Sequence, residues 1–180
     1  MKRTLESGQV TRRGFLVGGA ATIVTVAVSG VTLLADPARN WAVELPSFTP
    51  DQARVLLQFV RDLFPHARLV ETFYAEAIAP LHDEAAKDPA TRELLASGIA
   101  QLNTLAHAPA GKSYADVTDE KARVAAIRQI EGGAFFAKVY GATLTPLYNQ
   151  RKVWPLFGYE GPSSALGGYL HRGFNDLDWL

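Results

Sequence analysis

At Thr49-Pro50 and at Asp88-Pro89 a side chain able to cap a helix stands directly before a proline and ahead of a run of apolar residues at helical spacing. Followed by such a run, the pair marks a helix start. The capping oxygen accepts from orphan N–H groups, and proline has no N–H to satisfy. After Thr49, Gln52 falls at the capping-box position, and Leu56, Leu57, Val60, Leu63 and Phe64 follow at helical spacing until Pro65. Leu69, Val70, Phe73, Tyr74, Ala77, Ile78 and Leu81 repeat the three-to-four step, with Pro80 set to kink or end the run. Beyond Asp88-Pro89 come Leu94, Leu95, Ile99, Leu102 and Leu105. His107 to Val117 reads as a polar loop. Thr118, with Asp119 and Glu120 behind it, opens a fourth helix through Val124, Ile127 and Ile130. After Gly132-Gly133, a fifth carries Phe135, Phe136, Val139, Tyr140, Thr143, Leu144, Leu147 and Tyr148, with Pro146 near its end. No run alternates as a strand would. The expectation is an all-α fold, an irregular bundle of about five helices over residues 49–149.

The N-terminus carries different information. Lys2, Arg3, Arg12 and Arg13 precede Gly14–Ala35, twenty-two residues without a charge, and Glu6 is the only acid before them. A basic segment followed by an apolar one is the layout of an export signal. Thr11-Arg12-Arg13-Gly14-Phe15-Leu16 resembles the twin-arginine motif, with Val17 where a Lys is frequent. That resemblance implies transport of an already folded protein by the twin-arginine (Tat) translocase, and a periplasmic destination. As a helix, the stretch is also long enough for a membrane anchor, since twenty-two residues reach roughly 30 Å. Cleavage sites are imperfect: Ala27-Val28-Ser29 and Leu33-Leu34-Ala35 only approximate the A-x-A pattern. The chain accordingly divides into a signal or retained anchor over 1–35, a linker over 36–48 with two prolines and Trp41, the helical domain over 49–149, and a tail over 150–180.

Composition narrows the function classes. Lys+Arg and Asp+Glu number 18 each, so no excess of positive charge argues for nucleic acid. Residues 1–35 take four bases and one acid, leaving 14 against 17 and a net charge of −3 on the rest. Cys is absent, which rules out disulfides, Cys-ligated zinc, iron–sulfur clusters and covalently attached haem. His66, His82, His107 and His171 form no local metal motif, and Glu71 and Glu76 are five apart. A composite of His66, Glu71 and His82 is the one metal set to weigh, against the ordinary role of such histidines as caps or solvated groups. Ser163-Ser164 lacks the strand-turn-helix setting of a nucleophile elbow. Gly132-Gly133 and Gly167-Gly168 lack dinucleotide-fingerprint spacing. Glu160 argues against an anion cradle between Gly158 and Gly161. The residues supply no catalytic, cofactor-binding or metal-binding set.

Residues 135–180 hold ten of the 18 aromatic residues and six of the 15 glycines. Rings there either lash an irregular tail to the bundle or face a partner, and Trp154, Tyr159, Tyr169, Arg172, Phe174 and Trp179 are the candidate contacts. Val153-Trp154, Phe157-Gly158-Tyr159-Glu160-Gly161-Pro162-Ser163, Gly167-Gly168-Tyr169-Leu170 and Gly173-Phe174-Asn175-Asp176-Leu177-Asp178-Trp179 resemble the gluconate 2-dehydrogenase subunit 3 family. The resemblance covers about Val153 to the end, with Thr11–Leu16 in support; between them only helical character and length agree. It implies a small, twin-arginine-signalled, non-catalytic subunit of a periplasmic complex. The partner it implies is a large FAD-dependent sugar or polyol dehydrogenase of the glucose–methanol–choline type, often with a multihaem cytochrome c subunit. FAD would then reside in the partner. The residues alone also admit an independent exported helical enzyme or ligand-binding protein, or a membrane-anchored scaffold.

Overall fold

A computed structural model of the chain describes residues 24–28, 31–36, 41–108 and 112–170. Most of what is described is helical. The bundle is built from α1 (Pro50–Leu63), α2 (Glu71–Lys87), α3 (Pro89–Leu105), α4 (Glu120–Ile130) and α5 (Ala134–Tyr148). Short 3-10 turns lie at Tyr114–Asp116, Trp154–Phe157 and Ser163–Leu166.

Both cap-plus-proline starts form as expected. Thr49 Oγ1 accepts from the Gln52 N–H (3.2 Å), while Gln52 Oε1 accepts from the Thr49 N–H (2.9 Å). The Asp88 carboxylate accepts from the N–H groups of Ala90 and Thr91. Pro80 does not end α2, which continues seven residues further to Lys87. It sits on the exposed side of the helix, so its ring needs no room in the core. The cap of α4 is Asp119, one residue later than Thr118.

The expectation of a purely α chain is corrected at the N-terminal side. Val24–Val28 (β1), Val31–Asp36 (β2) and Trp41–Glu44 (β3) form a three-stranded antiparallel sheet with β2 in the middle. Within the apolar stretch the described residues are strand, not the expected signal-like helix. Within the stretch expected as a linker, the described residues include β3 and the buried Leu45 and Phe48. The physical reason is side-chain branching: Val24, Thr25, Val26, Val28, Val31 and Thr32 favour a pleated backbone over a helical one. Val28 pairs with Val31, so only Ser29 and Gly30 separate the two strands in sequence. The strand signal was hidden because β2 turns its polar residues, Thr32 and Asp36, inward beside Leu34, the reverse of the usual alternation. Thr32, Leu34 and Asp36 are buried while Val31, Leu33 and Ala35 are half-buried.

The core gathers Leu56, Phe59 and Val60 of α1, Tyr74, Ile78 and Leu81 of α2, Leu95, Ile99 and Leu102 of α3, and Phe135, Val139 and Leu147 of α5. Phe59 stacks on Phe135 with centroids 5.3 Å apart. The sheet contacts α1 through β1 and β2, and α2 through β3. Thr32 ties this seam, since its carbonyl accepts from the Leu45 N–H (2.7 Å) and its Oγ1 donates to the Phe48 carbonyl (2.5 Å).

Candidate functional site

The tail is fastened before it is displayed. Leaving α5, Gln150 donates from Nε2 to the Phe73 carbonyl (2.8 Å), and Val153 is fully buried. Trp154 donates from Nε1 to the Tyr148 carbonyl (2.9 Å) and is half-buried. Arg68 reaches from the α1–α2 connection to the Leu156 carbonyl (3.2 Å). Phe157 lies edge-on to His66, 5.0 Å between centroids, and tilted against Tyr148. Tyr159 then folds back, its N–H donating to the Trp154 carbonyl (3.0 Å) and its ring meeting that indole edge-on at 5.3 Å.

What this scaffold presents is apolar. Tyr159 is 48% exposed, Tyr169 59% and Leu170 76%, with Phe157 and Leu166 also uncovered. Six large apolar side chains rank as exposed among the described residues, and five of them lie between Phe157 and Leu170. Their concentration in one short segment of the chain sets them apart from singly scattered exposed leucines. Of the sequence candidates, Tyr159 and Tyr169 are presented outward, whereas Trp154 serves as an internal fastening. Arg172, Phe174 and Trp179 lie outside the described residues, as do Thr11, Arg12, Arg13, Phe15 and Leu16. Phe157, Leu166 and Leu170 were not singled out from sequence. Only their place in an aperiodic, glycine-rich segment could have marked them.

A polar groove of about 470 Å³ opens on the other flank of His66. Arg54, Gln58, Arg61 and Asp62 of α1, Glu71, Arg123 and Thr25 of β1 contribute to its lining. Its cations are already engaged. Arg54 pairs with Asp116 (2.6 Å), and Arg123 grips Asp62. Arg61 donates to the His66 and Leu69 carbonyls (3.0 and 2.9 Å) and lies over the Tyr74 ring. With three arginines facing Asp62, Glu71 and Glu120, the lining has no net excess of positive charge to draw an anion.

His66 and Tyr148 meet at 2.5 Å between Nε2 and the phenol oxygen. Burial, and then the Arg61 guanidinium, lower the imidazole pKa. Burial, followed by the neighbouring Tyr74 and Tyr140, raises that of the phenol. Both shifts favour a neutral pair in which Tyr148 donates to the imidazole. Such a pair orients two rings beneath the tail and leaves no activated nucleophile. His82 is likewise occupied, its Nδ1 accepting from the Ser47 N–H (3.1 Å) and its ring lying edge-on to Phe48. The composite of His66, Glu71 and His82 is therefore not assembled; among the described residues no three His, Asp or Glu side chains are grouped to hold a metal ion. His107 is exposed, and His171 lies outside the described residues.

No family model matches the chain, and comparisons with curated proteins and with solved structures find no match either. The likeness to the gluconate 2-dehydrogenase subunit 3 family rests on the motif residues alone.

Proposed function

We propose that this chain is a non-catalytic small subunit that escorts and stabilises a larger exported enzyme. The partner that the tail resemblance suggests is a FAD-dependent sugar or polyol dehydrogenase of the glucose–methanol–choline type, in a periplasmic complex that often includes a multihaem cytochrome c. Thr11–Leu16 would supply the Tat address for both chains. A flavoprotein that holds FAD non-covalently needs a route for folded cargo, and an escort bound through translocation provides one. The single observation that carries this reading is the exposure of five large apolar side chains, Phe157, Tyr159, Leu166, Tyr169 and Leu170, within one short segment of the tail. Aromatic rings of this kind dominate slowly dissociating interfaces.

The first test is whether a neighbouring reading frame encodes a large flavin dehydrogenase with no signal of its own. Co-producing the two chains then decides the role. Arg12→Lys with Arg13→Lys should leave both in the cytoplasm. Partner activity still reaching the periplasm with that variant would end the escort reading. The purified chain is expected to be colourless, and a stoichiometric flavin in it would overturn the non-catalytic assignment.

A further inference from the structure

We infer that β1 and β2, which take up the distal part of the apolar stretch and end at Asp36, stay in the mature protein as a structural hairpin and are not removed with the signal. This rests on the export reading only for the existence of a signal; the packing argument is independent of it. β2 is the central strand, so among the described residues it is the one partner of β3 and joins β1 to it. Its Leu34 is fully buried, and Thr32 and Asp36 are buried beside it. Thr32 also satisfies the Leu45 N–H and the Phe48 carbonyl, both in the segment leading into α1.

Cutting after Ala35 would remove β1 and nearly all of β2. Leu45 and Phe48 would lose their cover, and β3 its ladder. Cutting after Ser29 would strip β1 from the sheet and from its contact with α1. Gly14–Ile23 remains available to serve as the apolar part of the signal. Ten residues fall within the length such a region requires. The same ten would reach only about 15 Å as a helix, half the hydrocarbon thickness, so the folded hairpin is incompatible with a membrane anchor here. Any processing therefore falls before Val24.

Intact mass of the chain recovered from the periplasm tests this directly. The expected product retains residues 24–36; a product beginning at Gly30 or Asp36 would overturn the inference. A second measurement works on the full chain wherever it accumulates. Leu34→Ala should lower the thermal midpoint by roughly 5–10 °C or abolish folding. The gentler Thr32→Val should lower it less, and Leu33→Ala, on the opposite face, less than Leu34→Ala. If Leu34→Ala melts with the parent, the hairpin is no part of the fold. Should the arginine variant leave the chain's location unchanged, the export reading fails while the Leu34 result still decides the hairpin.

Discussion

Asp62 and Arg123 form a two-pronged ion pair between α1 and α4, with Nε 2.7 Å from Oδ2 and Nη2 3.0 Å from Oδ1. Their side chains are only 6% and 12% exposed. Tyr114 donates to Oδ2 (2.5 Å) and Gln58 to Oδ1 (3.0 Å), while Arg123 also donates from Nη1 to the Val117 carbonyl (2.7 Å). Truncating one partner leaves the other charge buried with nothing to balance it. Asp62→Ala should cost about 3–5 kcal/mol in denaturant unfolding. Replacing both by apolar residues of similar volume should cost clearly less, and a cycle in which the two losses simply add would refute the coupling.

Acid should act through Asp116. Its carboxylate accepts from the Ser113 N–H (2.9 Å) and Oγ (3.2 Å) and from Arg54 (2.6 Å). The backbone bond from Ser113 first, and Arg54 next, pull its pKa from 3.8 down to about 2. A depressed folded-state pKa gives stability that is complete above the unfolded value and fades as pH falls toward the folded one. The stability gap between the parent and Asp116→Asn should thus be constant above about pH 5 and shrink between about pH 4 and pH 2. Urea titrations of both proteins across that range measure it, and a gap independent of pH would contradict the assignment.

Gly98 faces the Phe135 ring so closely that an added Cβ would overlap it. That ring is buried and stacked on Phe59, so it has little freedom to yield. Gly98→Ala should destabilise by about 1–3 kcal/mol despite a gain in helix propensity of about 1 kcal/mol. Thermal unfolding reads the sign, and a stabilised variant would show that α3 and α5 are less tightly apposed than described.

Within the tail, fastening and presentation should separate. Trp154→Phe removes the bond to the Tyr148 carbonyl and is expected to lower stability by about 1 kcal/mol. Tyr159→Ala and Tyr169→Ala should leave the thermal midpoint of the isolated chain within about 2 °C of the parent, yet weaken partner capture by about 2 kcal/mol or more. Pull-down with each variant distinguishes the two roles. Unchanged capture by both tyrosine variants would place docking elsewhere.

The helices were legible because their signals are local. Thr49-Pro50 and Asp88-Pro89 mark starts because each pair is followed at once by apolar residues at helical spacing, a pattern that needs no tertiary context. The sheet was not legible, since β2 buries Thr32 and Asp36 and leaves Val31, Leu33 and Ala35 half-covered, so its pattern runs against the rule of polar residues outward. The Asp62 cluster was partly written in α1. Val55, Phe59 and Asp62 share one helical face, so a carboxylate stands on an apolar stripe and calls for a buried partner. That the partners would be Arg123 and Tyr114 depends on folding across more than fifty residues, which no short-range pattern encodes. The inward turn of Trp154 depends in the same way on where the end of α5 leaves the Tyr148 carbonyl.

Gly167 and Gly168 both hold left-handed backbone, at φ of 80° and 77°, and the Gly168 N–H returns to the Ser163 carbonyl (2.8 Å). Two adjacent residues in that region suit glycine and few others, so the path leading to Tyr169 and Leu170 is set by the backbone itself. The entropy of shaping this segment is thereby spent during folding and not at the moment of encounter. Calorimetry of an association through residues 157–170 should then give a heat-capacity change in proportion to the apolar area covered. The larger change that accompanies a segment folding as it binds should be missing.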